Sequence, residues 1–509
     1  MLTNAETEKS LKFSDLYTKS YQFATVLKNI GVKKGDIICV ILPNCLEYPI
    51  IFLGSALIGC PISGLPPTVT EYELQHYLTV LNSKFIVTYS SVESIFKKNS
   101  DYYTTLNFYN FDPLNSFLSI KKKPRKLSDV IFKQYLFTVL NITFIIIPSV
   151  SRKMAEQIFH FQIISLNCKD ENYLNFNTLL AETEPNFEIA DDFVTALDDT
   201  LIAPFSSGTS GLPKCVQLTH RNYNCATAIL RRAVFDELSV IGRRNTLAFL
   251  PFYHGSGFWA LCFCLLDGHH SIILPFFQPS LMFQCIQRYK VDTINVVPAI
   301  VNYMLKNDTD IQKYDLSSLS TVLCGSAPLS KAAVEQFLHL YPNVKYFLQG
   351  YGMTEVVILS HITRLSDNTK FTKHFGSCGT LLPGFQAKIL NVDTGAEITE
   401  PGCPGELCLK SDAIMNGYYN NPTATAAAID TDGWLHTGDV LYRDDNGYYF
   451  VVDRIKDLIK VNGLQVSPSE LEDVLMKYPN VVDAAVVGIP NESSGQASAL
   501  LQYRLNNFF

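Results

Sequence analysis

Apolar residues recur at helical spacing from Phe13 to Ile30, and Gly31 with Lys33-Lys34-Gly35 ends the run. The pattern predicts a helix there, then a buried strand over Asp36 to Leu42, a helix over Tyr48 to Ile58 and another strand. Alternation of this kind predicts an α/β fold with largely parallel sheets. The period is lost from about Ser91 to Ser149, a block rich in Asn, Lys, Phe, Tyr and Ile that includes Lys121-Lys122-Lys123-Pro124-Arg125-Lys126. Residues 91–149 read as an anomalous insertion, either a lineage-specific loop or a gene-model artefact, with the basic cluster a solvated surface. Regularity returns at Asp198. An apolar strand enters a Ser/Gly-rich loop, Thr219 is placed to cap a helix from His220 or Arg221, and strand-helix alternation is expected to about Tyr449. Beyond Val451-Val452-Asp453-Arg454, Asn462-Gly463 predicts a hairpin turn and Ser467 or Ser469 a capped helix reaching Lys477.

Composition narrows the function classes. A chain of 509 residues outgrows one hydrophobic core, so two or more domains or subdomains are expected, and 47% hydrophobic residues supply a large interior. A net charge of −7 and a pI near 5.8 exclude a general nucleic-acid surface, so any phosphate recognition is local. The 13 cysteines contain no C-x-x-C pair, which fits a reduced intracellular protein better than a disulfide framework or zinc site. Met1 to Glu8 lacks the apolar core of a secretory signal, and the apolar stretch Tyr135 to Ile147 is shorter than the roughly 20 residues that span a bilayer. No transmembrane segment is expected, and oligomeric state leaves no signature.

The densest chemistry lies in Ser206-Ser207-Gly208-Thr209-Ser210-Gly211-Leu212-Pro213-Lys214. Glycines let successive N–H groups turn inward as an anion nest, hydroxyls add neutral donors, and the lysine supplies a point charge. The spacing is not G-x-x-x-x-G-K-[ST], which argues against a mononucleotide P-loop. A plain Ser/Gly-rich surface loop is the alternative.

The stretch resembles the phosphate-binding signature of the adenylate-forming superfamily: acyl-CoA synthetases, firefly-type luciferases and peptide-synthetase adenylation domains. Five further segments follow in that superfamily's order: Leu250-Pro251-Phe252-Tyr253-His254-Gly255, Gly325-Ser326-Ala327-Pro328-Leu329-Ser330, Gln349-Gly350-Tyr351-Gly352-Met353-Thr354-Glu355, Gly433-Trp434-Leu435-His436-Thr437-Gly438-Asp439 and Asp453-Arg454-Ile455-Lys456-Asp457-Leu458-Ile459-Lys460. The resemblance implies a large amino-terminal domain of layered sheets and helices, residues 1–454, and a small mobile α+β carboxy-terminal lid, residues 455–509. It implies an ATP-dependent, AMP-forming ligase that joins an aromatic or fatty acid to CoA through an acyl-adenylate, similar to the 4-coumarate branch.

Site roles follow from the same resemblance. Ser206, Ser207, Gly208, Thr209, Ser210, Gly211 and Lys214 would grip the phosphates of ATP, with Thr354 beside them and Thr209 and Glu355 facing magnesium. Asp439 would read the ribose with Arg454 as a second contact, and Tyr351 would stack on adenine opposite Gly325, Ser326 and Ala327, with Gln349 nearby. His254 would lie near the substrate carboxylate, and Gly255, Ser256, Ser326, Gly350 and Val356 would line the acyl pocket. Lys456 would sit at the hinge, and Lys460, Asn462 and Gly463 against acyl-adenylate and CoA. His269, His270 and His436 read as structural.

The chain stops at Asn507-Phe508-Phe509, short of the Gly-Lys segment that carries the superfamily's adenylation lysine. Loss of one positioned donor costs about 10²- to 10³-fold in rate. A slow first step is therefore expected, and a non-catalytic nucleotide or acyl binder and a luciferase-like oxygenase stand as alternatives. Asn507-Phe508-Phe509 is no peroxisomal import tripeptide, and a cytoplasmic or peroxisomal location is expected.

Overall fold

The computed structural model describes residues 1–89, 162–166, 174–193, 195–206, 212–236, 244–365, 374–461, 464–468, 471–472, 475, 483–491 and 495–503. The 91–149 block and most of the expected Ser467 to Lys477 helix fall outside them. The first helix runs Phe13–Asn29 and buries Leu16, Phe23, Ala24 and Leu27. Its partner, Glu47–Leu57, packs against it so closely that a Cβ on Gly54 would lie 2.8 Å from the Ser20 carbonyl oxygen. The intervening strand, Ile38–Ile41, is fully buried. Burial on both faces explains its unbroken apolar sequence.

Among the described residues two large sheets form the body. One is parallel from Tyr346–Tyr351 through Thr321–Cys324, Thr293–Val296, Asn245–Ala248 and His270–Ile273 to Leu2–Asn4. The amino terminus is thus a strand inside a sheet, with Leu2 opposite Ser271 and fully buried. The other sheet is parallel from Thr200–Ile202 through Ile62–Leu65, Ile38–Ile41 and Phe85–Thr88 to Gln162–Ser165. Beside Thr200–Ile202, Lys214–Thr219 runs antiparallel, paired on its other side with Gly417–Tyr418, and leads into the helix His220–Leu230. Thr219 caps that helix reciprocally with Asn222. Both faces of these sheets carry helices, giving the layered α/β body.

The expected strand-helix alternation to Tyr449 is corrected by the structure. From Gln386 to Arg454 four strands, Gln386–Leu390, Gly405–Lys410, Leu435–Arg443 and Tyr449–Arg454, form an antiparallel sheet, with one short helix, Pro422–Ala428, between them. Turn residues drive the difference: Asp444 accepts from the backbone N–H groups of Asn446 and Tyr448, and Gly447 takes φ 82°. A fourth sheet holds Ile459–Val461, Leu464–Val466, Asp483–Asn491 and Gly495–Tyr503. Val461 stands opposite Leu464, the pairing expected of a two-residue connection. No helix among the described residues is long and apolar enough to cross a membrane.

Candidate functional site

Two cavities open at the carboxyl ends of the parallel strands Thr321–Cys324 and Tyr346–Tyr351, the end where open α/β sheets bind ligands. The larger, about 280 Å³, is walled by Ser326, Gln349, Tyr351, Asp439 and Arg454. The smaller, about 110 Å³, is walled by His254, Ser256, Trp259, Thr354 and Ile358. They meet at Ser326, Gly350 and Gly352. Glycine is required at the junction: a Cβ on Gly352 would sit 1.7 Å from the Ile358 carbonyl oxygen. Ser326 has φ 76°, a left-handed conformation uncommon for a non-glycine residue.

Asp439 and Arg454 are direct cross-strand partners in the antiparallel sheet. Arg454 Nε lies 3.4 Å from Asp439 Oδ1, and Tyr351 Oη donates to Asp439 Oδ2 at 2.7 Å. Burial raises the Asp439 carboxyl above its ordinary value, and the Tyr351 hydrogen bond and Arg454 charge pull it back. Burial also keeps the Tyr351 phenol protonated and therefore a donor. Glu406 braces the turn beneath: its Oε1 accepts from Gly438 N and its Oε2 lies 3.0 Å from His436 Nδ1. Glu406, Cys408 and His436 could together ligate a metal. However, both Glu406 oxygens are already engaged, and burial pushes the Cys408 thiol up to about 12, so the group reads as a brace.

Gln349 lines the larger cavity but commits its amide elsewhere, donating to the Leu329 carbonyl and accepting from Gly376 N. On the other side, His254 precedes the helix Gly255–Asp267, with Nδ1 3.3 Å from Ser256 Oγ. Its ring is accessible at the cavity mouth yet walled by protein, and that desolvation lowers its pKa, leaving it neutral at pH 7. Val356 is fully buried in the main core and does not line this cavity, and Gly255 faces Ile358, whose Cδ1 would be 2.8 Å from an added Cβ.

Thr354 and Glu355 lie in the short 3₁₀ turn Thr354–Val356. Glu355 is only 4% exposed, and its Oε1 accepts from Tyr418 Oη at 2.9 Å. Lys214 Nζ stands 5.0 Å from the centroid of the same tyrosine ring. Glu355 and Lys214 thus flank one aromatic side chain. A nearly buried carboxylate is a hard oxygen donor suited to magnesium, and an ammonium beside it suits phosphate. Ser206 is buried at the end of its strand, while Ser207, Gly208, Thr209, Ser210 and Gly211 lie outside the described residues, as do Asn462 and Gly463. Lys456 lines a separate cavity with Asp453, Asp457 and Glu472, and Lys460 lies in the strand Ile459–Val461.

The structure therefore joins His254, Ser256, Ser326, Gly350, Tyr351, Thr354, Asp439 and Arg454 around one pair of cavities. Sequence reasoning missed Tyr418 and Glu406. Their only sequence signals were a Gly-Tyr pair and a Gly-Glu pair flanking turns, too common to point at a site.

Comparison with known proteins identifies relatives along nearly the whole chain. The AMP-binding enzyme family matches residues 2–419. A 4-coumarate–CoA ligase of Arabidopsis thaliana is 32% identical over 97% of this chain and 79% of its own length. The luciferin 4-monooxygenase of Photinus pyralis is 31% identical over 98% of this chain and 80% of its own. The o-succinylbenzoate–CoA synthetase of Bacillus subtilis, solved with ATP and magnesium, superposes with a TM-score of 0.72 at 23% identity, covering 98% of this chain and 86% of that one.

Proposed function

We propose a function from an established premise: the chain belongs to the AMP-binding family of adenylate-forming enzymes. It is an ATP-dependent acid–CoA ligase that forms an acyl-adenylate with release of pyrophosphate and then passes the acyl group to CoA. The observation that carries this reading is the junction of a carboxylate-bearing cavity with a more apolar one at Ser326, Gly350 and Gly352, next to Thr354. The nucleotide occupies the first, with Asp439 accepting from the ribose hydroxyls and Tyr351 against the base. The acid occupies the second, its carboxylate approached by neutral His254 and its body, aromatic or aliphatic, against Trp259 and Ile358.

Held this way, the carboxylate oxygen faces the α-phosphorus at the junction, and positioning supplies much of the rate. Lys214, Thr354 and the Ser206 to Ser210 loop, with Thr209 among its donors, hold the phosphates. Magnesium, when bound by Glu355, neutralises charge on the phosphate oxygens. Residues 1–454 act as the adenylation body and 455–509 as a lid hinged near Lys456, with Lys460, Asn462 and Gly463 meeting acyl-adenylate and the CoA thiol.

The test is acid-dependent pyrophosphate release, with acyl-AMP and acyl-CoA identified by mass, across aromatic and fatty acids. Absence of pyrophosphate with every acid would overturn the ligase reading and leave a nucleotide-binding protein. The similarity to a luciferin monooxygenase supports a second reading, which oxygen-dependent light emission from a luciferin would mark.

A further inference from the structure

Tyr418 belongs to the two-residue strand Gly417–Tyr418, and the segment around it is stitched to both halves of the phosphate end. Met415 N donates to the Glu355 carbonyl at 2.8 Å, Asn416 N to Gln217 O at 3.0 Å, and Tyr419 N to Cys215 O at 2.7 Å. Tyr418 N itself donates to Thr425 Oγ1 at 2.9 Å. The backbone carrying the ring is thus fixed to the Glu355 turn, to the Lys214–Thr219 strand and to the following helix.

The side chain uses two surfaces. Its hydroxyl donates to Glu355 Oε1, and its ring lies 5.0 Å below Lys214 Nζ. Among the described residues no ion pair joins Lys214 to Glu355. That separation matters, because an ammonium and a carboxylate free to meet at low dielectric would neutralise each other, and neither charge would then be available to metal or phosphate. The aromatic ring satisfies the cation through its face while engaging one carboxylate oxygen through its edge hydroxyl, leaving the other oxygen oriented by the first.

We infer that Tyr418 is a positioning residue for the phosphate end of the site, holding Glu355 and Lys214 apart and aimed. The inference rests on the magnesium and phosphate roles proposed for those two residues. Tyr418→Phe keeps the ring and removes the hydroxyl, and Tyr418→Leu removes both.

The experiment titrates magnesium against the full chain and measures ATP binding by calorimetry, with metal-free AMP binding as the reference for an intact pocket. For Tyr418→Phe the magnesium concentration at half-maximal ATP binding rises about tenfold or more, because a hydrogen bond to a charged carboxylate is lost, while AMP affinity is unchanged. Tyr418→Leu shows the same rise and also weaker ATP binding at saturating magnesium, from loss of the support under Lys214. A Tyr418→Phe magnesium midpoint equal to wild type overturns the inference, as does an equal loss of AMP affinity, which marks a merely structural residue. If wild-type ATP binding is itself independent of magnesium, the proposed role of Glu355 fails, and the inference falls with it. That outcome is read on wild type alone, so the two failures are distinguishable.

Discussion

Replacing Tyr351 by Phe isolates the chemistry of Asp439, because the ring that faces the nucleotide cavity is retained and only the hydroxyl that donates at 2.7 Å is lost. The Asp439 carboxyl is already held above its ordinary value by burial, with the Tyr351 hydrogen bond opposing that rise ahead of the Arg454 charge. A hydrogen bond to an ionised acceptor is worth about 1.5–3 kcal/mol, and one pKa unit is about 1.4 kcal/mol. Removing the donor destabilises the ionised form, so the Asp439 pKa climbs further. In the proposed nucleotide pose the ionised carboxylate is the form that would accept from both ribose hydroxyls. With Asp439 as the proposed ribose acceptor, AMP affinity in wild type falls as pH drops through the Asp439 pKa, and in Tyr351→Phe the same fall sets in at higher pH, with an affinity about tenfold or more below wild type where the two forms differ. The assay is AMP binding by calorimetry from pH 5 to 9, with Asp439→Asn as the variant in which this limb disappears. Superimposable profiles for Tyr351→Phe and wild type would refute the reasoning, since the hydroxyl would then make no difference to the charge state of Asp439.

Three stability predictions follow from the same region. Ser326→Gly relieves a left-handed backbone at φ 76° on an exposed cavity wall and is expected to stabilise the fold by about 1 kcal/mol in urea unfolding; a lower midpoint would count against strain there. Gly352→Ala forces a methyl to within 1.7 Å of a backbone oxygen and is expected to cost about 3 kcal/mol or more, read as a drop in Tm of several degrees. His361, fully buried between Tyr351 and Tyr449, has its pKa lowered from 6.5 to about 3 by burial, so the unfolded chain takes up its proton first as pH falls. Stability should then decline by about 1.4 kcal/mol per pH unit from about pH 6.5 towards 3, and His361→Phe should flatten that slope.

Periodic segments were legible because burial imposes a period. The helix expected over Phe13 to Ile30 is found at Phe13–Asn29, and Thr219 caps its helix as its position suggested. The amino-terminal strand Leu2–Asn4 was not legible: three residues carry no period, and what holds them is pairing with His270–Ile273, far away in the chain. The antiparallel sheet from Gln386 to Arg454 was misread as alternating strand and helix because its strands, like parallel ones, bury apolar runs such as Leu407, Cys408 and Leu409. At the site, Asp439, Arg454 and Tyr351 were singled out by the family resemblance of their motifs, and the structure adds that Asp439 accepts a hydrogen bond from Tyr351 and is ion-paired with Arg454. Tyr418 was invisible because its partner Glu355 lies 63 residues away, and nothing in the sequence near either residue records that contact.

The placement of Asp439 and Arg454 sets the proposed nucleotide contacts next to the segment proposed as a hinge. They face each other across one hairpin, and the chain leaves that hairpin directly: Ile455 N donates to the Gly438 carbonyl at 2.9 Å, and Ser467 Oγ donates to Asp453 Oδ2 at 2.6 Å. Any rotation of residues beyond Arg454 must strain or exchange bonds of this kind, each worth about 1 kcal/mol net and somewhat more to a carboxylate. Those energies are small beside the binding energy of a nucleotide, whereas the β-sheet that carries Asp439 is held by four strands and a buried core. In the proposed pose, a nucleotide on Asp439 would meet the four-stranded sheet on one side and, on the other, a segment tied to it by bonds such as these. Arg454, with about half of its side chain exposed and its Nε 3.4 Å from Asp439, stands between the two, so under the proposed function its ion pair is the contact that nucleotide occupancy and lid position would share.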